Sequence, residues 1–175
     1  MKTLGLLRHA KSDWDDRALR DFDRGLNDRG RRGAALMGAH IVDEGTAWDL
    51  LIASPAERVQ RTLESAKLGL EPQFDKRCYL ASSATLMEVV RDLAGDADRV
   101  LLSGHNPGMQ ELVFDIVAPD AEDALFDEAA RKFPTASFAI LECDIDDWAD
   151  LADDCGKLVH FTRPRDLDPD LGPED

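Results

Sequence analysis

Thr3-Leu4-Gly5-Leu6-Leu7-Arg8-His9-Ala10 is the stretch that decides the fold and points to most of the chemistry. Leu4 to Leu7 is an unbroken apolar run, the pattern of a central strand covered on both faces. In sheets of parallel strands, ligands collect outside the carboxyl ends. At that end this strand delivers a guanidinium and an imidazole, Arg8 and His9. Taken alone, the pair reads better as a strand that stops at its first charged residue and leaves a histidine in a surface turn. Two later segments with the same grammar remove that simpler reading.

Outward from this strand, apolar runs of strand length alternate with helical patterns. Residues 3–7 are followed by a helix over 30–44, and 49–53 by a helix over 55–68. A helix over 85–94 leads into a strand over 99–103 and a helix over 107–117, and late strands are predicted over 136–143 and 157–162. This alternation predicts an α/β fold: a three-layer α/β/α sandwich with a mostly parallel central sheet. Two polar stretches, 12–27 and the acidic 119–132, interrupt it and are expected over the strand ends. Residues 1–163 read as a single domain, and 164–175 as an acidic, Pro-rich tail expected to fray.

The second segment is Ser54-Pro55-Ala56-Glu57-Arg58-Val59-Gln60-Arg61-Thr62, directly after the predicted strand over 49–53. Ser54 suits a helix N-cap, Pro55 the first helical position and Glu57 a reciprocal capping partner. That places Arg58 one turn inside a helix whose positive end faces the crevice of Arg8 and His9. In the third segment, Val100-Leu101-Leu102 runs into Ser103-Gly104-His105-Asn106-Pro107-Gly108. Asn106 fits an N-cap and Pro107 the next position, leaving His105 at the strand's end. Three strand ends thus supply Arg8, His9, Arg58 and His105 to one place. His40, on a helix, and His160, on a late strand, stand outside these motifs and are read as structural.

With 175 residues, 43% of them hydrophobic, the chain fits one well-packed domain and is short for two. The longest apolar runs fall far below the roughly 20 residues of a membrane span, so no membrane association is expected. The chain enters its first strand without a leader pattern, and a cytoplasmic location is the expectation. A formal net charge of -15 argues against nucleic-acid binding, because a polyanion is repelled unless a basic patch is concentrated somewhere. A phosphate ligand is not excluded, since exposed charges are screened over about 8 Å and local arginines dominate inside a pocket. Cys78, Cys143 and Cys155 are an odd number without metal-like spacing, which fits reduced thiols.

The ordered set Leu7-Arg8-His9-Ala10, Ser54 to Thr62, and Gly104-His105-Asn106-Pro107-Gly108 resembles the histidine phosphatase superfamily, whose members include phosphoglycerate mutases. Further stretches are similar to its SixA-type phosphohistidine phosphatases: Lys11-Ser12-Asp13-Trp14, Leu26-Asn27-Asp28-Arg29-Gly30, Phe133-Pro134-Thr135-Ala136 and Arg163-Pro164-Arg165-Asp166-Leu167. The resemblance covers nearly the whole chain. Gly25 departs from the proline that relatives often carry there.

What the resemblance implies suits the residue types. His9 is the expected nucleophile, forming a phosphohistidine enzyme that water then hydrolyses. Arg8, Arg58 and His105 are the expected phosphate ligands, with no metal and no cofactor. Asn106 is read either as a phosphate contact or as a helix cap, and Lys11 and Trp14 are placed at the substrate mouth. Ester-cleaving relatives place a carboxylic acid after the Ser-Pro-Arg helix to protonate the leaving alkoxide. Here that stretch reads Arg77-Cys78-Tyr79-Leu80-Ala81-Ser82-Ser83, without a carboxylate. Asp13, Glu88 and Glu111 are the substitutes within reach of the pattern. The missing acid favours phosphohistidine, a phosphoramidate with a better leaving group, carried on a partner protein such as a histidine-containing phosphotransfer domain. Two other readings stay open: a small-molecule phosphomonoesterase on the same scaffold, and a non-catalytic phosphate-binding module.

Overall fold

β1 (Lys2–Arg8), the strand of the opening run, is covered on both faces in the computed structural model, which describes residues 1–172. Leu4 and Leu6 enter one core while Leu7 enters another, the alternation that a strand's two-residue period imposes. With β2 (Leu50–Ala53), β3 (Pro72–Phe74), β4 (Arg99–Gly104), β5 (Phe138–Cys143) and β6 (Gly156–Thr162), it forms a sheet of order β3-β2-β4-β1-β5-β6. The pairs β1–β4, β2–β4 and β2–β3 are parallel, as predicted. β5 pairs antiparallel with β1, and β6 antiparallel with β5, so the late strands make the sheet mixed.

Helices cover both faces. α1 (Asp28–Glu44) and α2 (Glu57–Ala66) lie on one side, where Met37 and Ile41 pack on Leu7, Leu51 and Leu101. α3 (Ser83–Leu93), α4 (Gly108–Ile116) and α5 (Ala124–Arg131) close the larger core on the other, built on Leu4, Leu6, Val100 and Leu102. A Cβ on Gly38 would lie 2.0 Å from the Ala66 carbonyl oxygen, so glycine at that point sets how closely α1 and α2 approach. The register places Arg8 opposite Gly104, and Ala53 beside Ser103. The carboxyl ends of β2, β4 and β1 therefore come level on three neighbouring strands. The connections from β1 and β4 leave toward opposite faces, which opens a crevice between them.

Two expectations are corrected. The acidic stretch contains α5, whose Asp123 side chain caps the Phe126 N–H and whose Phe126 and Ala129 are buried. The described part of the tail, residues 164–172, is packed rather than frayed. Pro164 and Leu171 are buried, α6 (Pro164–Leu167) is bracketed by Arg163 and Asp166, and Asp168 pairs with Arg32 on α1. The carboxylates that suggested a solvated tail are what anchor it. Residues 173–175 of that tail lie outside the described residues.

Candidate active site

β1 stops at Arg8, but its ladder extends one step further, since the His9 N–H donates to the Gly104 carbonyl at 3.0 Å. This hydrogen bond holds His9 against the sheet with 7% of its surface exposed. Its Nδ1 lies 2.7 Å from the Ala10 carbonyl oxygen. A carbonyl only accepts, so Nδ1 carries the proton and Nε2 keeps its lone pair. Ala10 is fixed in turn: its N–H donates to Thr62 Oγ1 at 2.9 Å, and the Thr62 hydroxyl donates to the Arg58 carbonyl at 2.7 Å. The threonine of the Ser54–Thr62 motif thus connects the arginine's helix to the carbonyl that sets the tautomer of His9.

Thr62→Val is expected to leave the Ala10 N–H buried without an acceptor, costing about 1–3 kcal/mol of stability. We expect kcat to fall on the order of 10-fold with KM little changed, and Thr62→Ser to restore it. A fall in KM-linked binding with kcat intact would count against Thr62 as a positioning residue.

Around His9 stand the other residues expected from the sequence. His105, 2% exposed, faces it with ring centroids 5.2 Å apart. His105 Nε2 lies 2.8 Å from Ser54 Oγ, and Nδ1 is buried without a partner. Ser54 Oγ also accepts the Ala56 N–H at 3.2 Å. It is therefore not the N-cap of α2, which begins after Ala56 without a side-chain cap, and Glu57 pairs with Arg61 instead. The hydroxyl serves the turn and His105 rather than the helix. Arg58, 5% exposed, points both arms of its fork at Asp21: Nη1 donates to the Asp21 carbonyl at 2.8 Å and Nη2 to Oδ2 at 3.0 Å. Arg8 donates to the Phe133 carbonyl at 3.0 Å.

Electrostatics keep both imidazoles neutral. Burial, joined by Arg8, His105 and Arg58, holds His9 well below the usual histidine range. Burial and then Arg58 push His105 down to about 3. Burial raises the Asp21 carboxyl, but hydrogen bonds from Tyr79 and Arg58 outweigh it and leave it below the usual carboxylate range. Because both histidines have depressed folded pKa values, the unfolded chain binds protons first as pH falls below roughly 6.5. Stability is thus intact above that pH and lost below it. We expect the urea midpoint to fall from pH 6.5 to 5, each site histidine contributing up to about 1.4 kcal/mol per pH unit. His160, lowered by burial and His40, adds in the same direction. A His105→Gln variant with an unreduced slope would contradict this assignment.

The remaining expected residues fall differently. Asn106 spends its amide on the Phe133 carbonyl, and its Oδ1 accepts the Gln110 N–H, so its contacts are structural and α4 begins after Pro107. Lys11 is half-buried beside the crevice. Trp14 is 59% exposed on the loop of residues 12–27, with the Arg24 guanidinium 4.1 Å over its ring. That loop is pinned at its base by a Ser12–Leu26 bridge. Glu88 pairs with Arg77, and Asp13 turns its carboxylate to the Asp15 N–H; Glu111 lies in the first turn of α4. None of the three bonds to a site residue among the described residues. His40 and His160 face each other with ring nitrogens 2.9 Å apart, outside this cluster.

Asp21 and Tyr79 were not anticipated. Asp21 sits among interleaved Asp and Arg residues that read as a self-paired loop. Tyr79 sits in the stretch after the arginine helix that carries no carboxylate. Its hydroxyl donates to Asp21 and its ring packs edge-on against His105 at 5.3 Å.

Comparison with known proteins agrees with this geometry. Residues 4–79 match the model of the histidine phosphatase superfamily (branch 1). An uncharacterized Mycobacterium tuberculosis protein is 32% identical over 160 residues, covering 91% of this chain and all of the relative. A structure from Nakamurella multipartitia, assigned as phosphohistidine phosphatase SixA, superposes with a TM-score of 0.83 at 29% identity over 93% of this chain and 96% of its own. A second structure so assigned, from Agrobacterium tumefaciens, gives 0.76 at 29% identity over 93% and 98%. With the strand-end histidines, the arginine helix and the fold in agreement, the chain belongs to the histidine phosphatase superfamily, in its SixA-type group, and is a phosphatase.

Proposed function

We propose that this phosphatase removes phosphate from phosphohistidine on a partner protein, through a phosphohistidine intermediate on His9. His9 Nε2 attacks phosphorus in line with the departing nitrogen. The substrate P–N bond breaks as the His9 Nε2–P bond forms. The substrate imidazole leaves neutral when its other nitrogen already carries a proton. As His9 bonds phosphorus its ring takes on imidazolium character, and the Ala10 carbonyl, already accepting from Nδ1, meets that charge. Water then attacks phosphorus, the His9–P bond breaks with its electron pair returning to Nε2, and inorganic phosphate departs.

Arg8, Arg58 and the His105 ring bind the equatorial phosphoryl oxygens, supplying with side chains the charge that a metal would otherwise bring. Ser54 supports the role of His105: among the described residues His105 Nε2 is the acceptor within reach of its hydroxyl proton, and that donation puts the ring proton on unpartnered Nδ1. The observation that carries the choice of substrate is Asp21. Among the described residues it is the carboxylate seen bonded to Arg58, and Arg58 and Tyr79 hold it ionised, unable to protonate an alkoxide. A phosphoramidate does not need that proton. The partner is a cytoplasmic phosphoprotein on this reading.

Phosphate release from a phosphohistidine peptide, measured against a panel of phosphate monoesters, tests this. We expect kcat/KM to favour the peptide by about 100-fold or more, the scale of missing general-acid assistance. Preference for an ester would overturn the proposal and require an acid other than Asp21.

A further inference from the structure

Beside the catalytic crevice lies a second cavity, and its chemistry is the reverse of the chain's. The chain has 36 Asp and Glu against 21 Lys and Arg. Yet Lys11, Arg29, Lys132 and Arg165 all line this cavity and, among the described residues, no carboxylate does. The side chains of Lys11, Lys132 and Arg165 make no ion pair or hydrogen bond among the described residues. The carboxylates near them in sequence make their ion pairs with other arginines, Asp166 with Arg163, Asp168 with Arg32 and Asp28 with Arg31, and Asp166 and Asp168 act on Arg165 and Arg29 through space. The cavity measures about 30 Å³, room for one small polar group and not for a ring.

Its position ties it to the reaction. Ala10, whose carbonyl fixes His9, forms part of its wall, and Lys11 follows directly. The partition between crevice and cavity is the segment after α5. On one side the Phe133 carbonyl takes Arg8 and Asn106; on the other Pro134, Thr135 and Ala136 line the cavity, and the Ala136 N–H donates to the His9 carbonyl. The four stretches similar to SixA-type enzymes, around Lys11, Gly30, Pro134 and Arg165, all reach this one cavity, and the phosphoryl chemistry leaves those residues unused. Ala10, the residue next to His9, is thus on the wall of the site where an anion would sit.

We infer that this cavity is a specificity site that binds a carboxylate carried by the substrate close to its phosphoryl group, the side chain of an Asp or Glu near the phosphohistidine. This rests on the substrate reading above and deepens it, since it names which phosphohistidines the enzyme selects. Lys132 and Arg165 close the cavity over the carboxylate, and its small volume excludes larger anions.

The test compares kcat/KM for phosphohistidine peptides carrying Glu or Gln at each position within four residues of the phosphohistidine. A parallel arm compares N-acetyl-phosphohistidine with its carboxamide, which separates a small-molecule carboxylate from a protein side chain. We expect the wild type to favour Glu over Gln by about 10-fold at one position or more. That ratio, internal to each enzyme, should fall to about 1–2 in Lys132→Gln/Arg165→Gln, while Lys132→Arg keeps it. A preference confined to the small acid would move the carboxylate's source away from protein and overturn the side-chain assignment. A ratio near 1 throughout, or one that survives in the double variant, would overturn the site itself. If phosphohistidine compounds are inert while esters turn over, the substrate reading fails by itself. The same ratio, measured on a carboxylate-bearing monoester and its neutral analogue, then decides the cavity's role.

Discussion

His9→Ala is expected to lose phosphate release by about 10,000-fold or more, the scale seen when a covalent nucleophile is removed. Among the described residues nothing replaces it. His105 is the nearest imidazole, but its Nε2 is turned to Ser54 and its Nδ1 is the atom assigned to bind the phosphoryl group. Cys78, in the stretch after the arginine helix, is buried and its thiol is pushed up to about 12, chiefly by burial, so it is no thiolate. The same substitution should leave the fold standing. His9 is a neutral ring beside Arg8 and Arg58, and its removal loses the packing of one ring and one hydrogen bond to the Ala10 carbonyl, a loss of the size of an ordinary core truncation. We therefore expect a Tm within a few degrees of the wild type. The wild type should accumulate an acid-labile phosphoenzyme under rapid quench, and the variant none. Residual release of even one part in a hundred from His9→Ala, with its fold intact, would remove His9 from the nucleophile's role.

The parts of this molecule that were legible in its sequence are those fixed by local chemistry. β1 could be read because a strand buried on both faces must be apolar throughout, and Leu4, Leu6 and Leu7 are. Arg8, His9, Arg58 and His105 could be placed together because strand ends in a parallel sheet share one side, whatever the register in detail. Errors arose where one side chain answers two demands. Ser54 has the form of a helix cap, but its oxygen is taken by the Ala56 N–H and by His105, a contact 51 residues away in sequence. Composition misled in the same way at α5, where Phe126 and Ala129 keep a helical spacing behind acidic neighbours, and at the tail, where Asp168 is an anchor for Arg32. Asp21 and Tyr79 carry no local signal. Their importance comes from long-range contacts with Arg58, and those depend on how the loop of residues 12–27 folds back over α2.

That loop makes Arg58 the second position of large effect. The guanidinium is buried, and in this structure both arms of its fork are held by Asp21. A substrate phosphoryl group must therefore share the fork with Asp21 or displace it, so Asp21 both aims the arginine and competes for it. Arg58→Ala removes donors from the developing charge at phosphorus, which costs about 100- to 1,000-fold for a single position. It also leaves the Asp21 carboxylate facing the substrate's own negative charge, held there by Tyr79. We expect kcat/KM to fall by about 1,000-fold or more in Arg58→Ala, and Asp21→Asn added to it to recover about 10-fold by removing the repulsion. Asp21→Asn alone should cost little, since the arginine stays buried beside the Asp21 carbonyl and Tyr79. Arg58→Lys should recover little, because a point charge cannot span two oxygens as the planar fork does. Steady-state kinetics on the wild type, Arg58→Ala, Asp21→Asn and their double variant, arranged as a double-mutant cycle with Arg58→Lys measured beside them, read the coupling directly. A double variant no better than Arg58→Ala would show that Asp21 only positions the arginine; Arg58→Lys within a few-fold of the wild type would show that the fork's geometry does not matter.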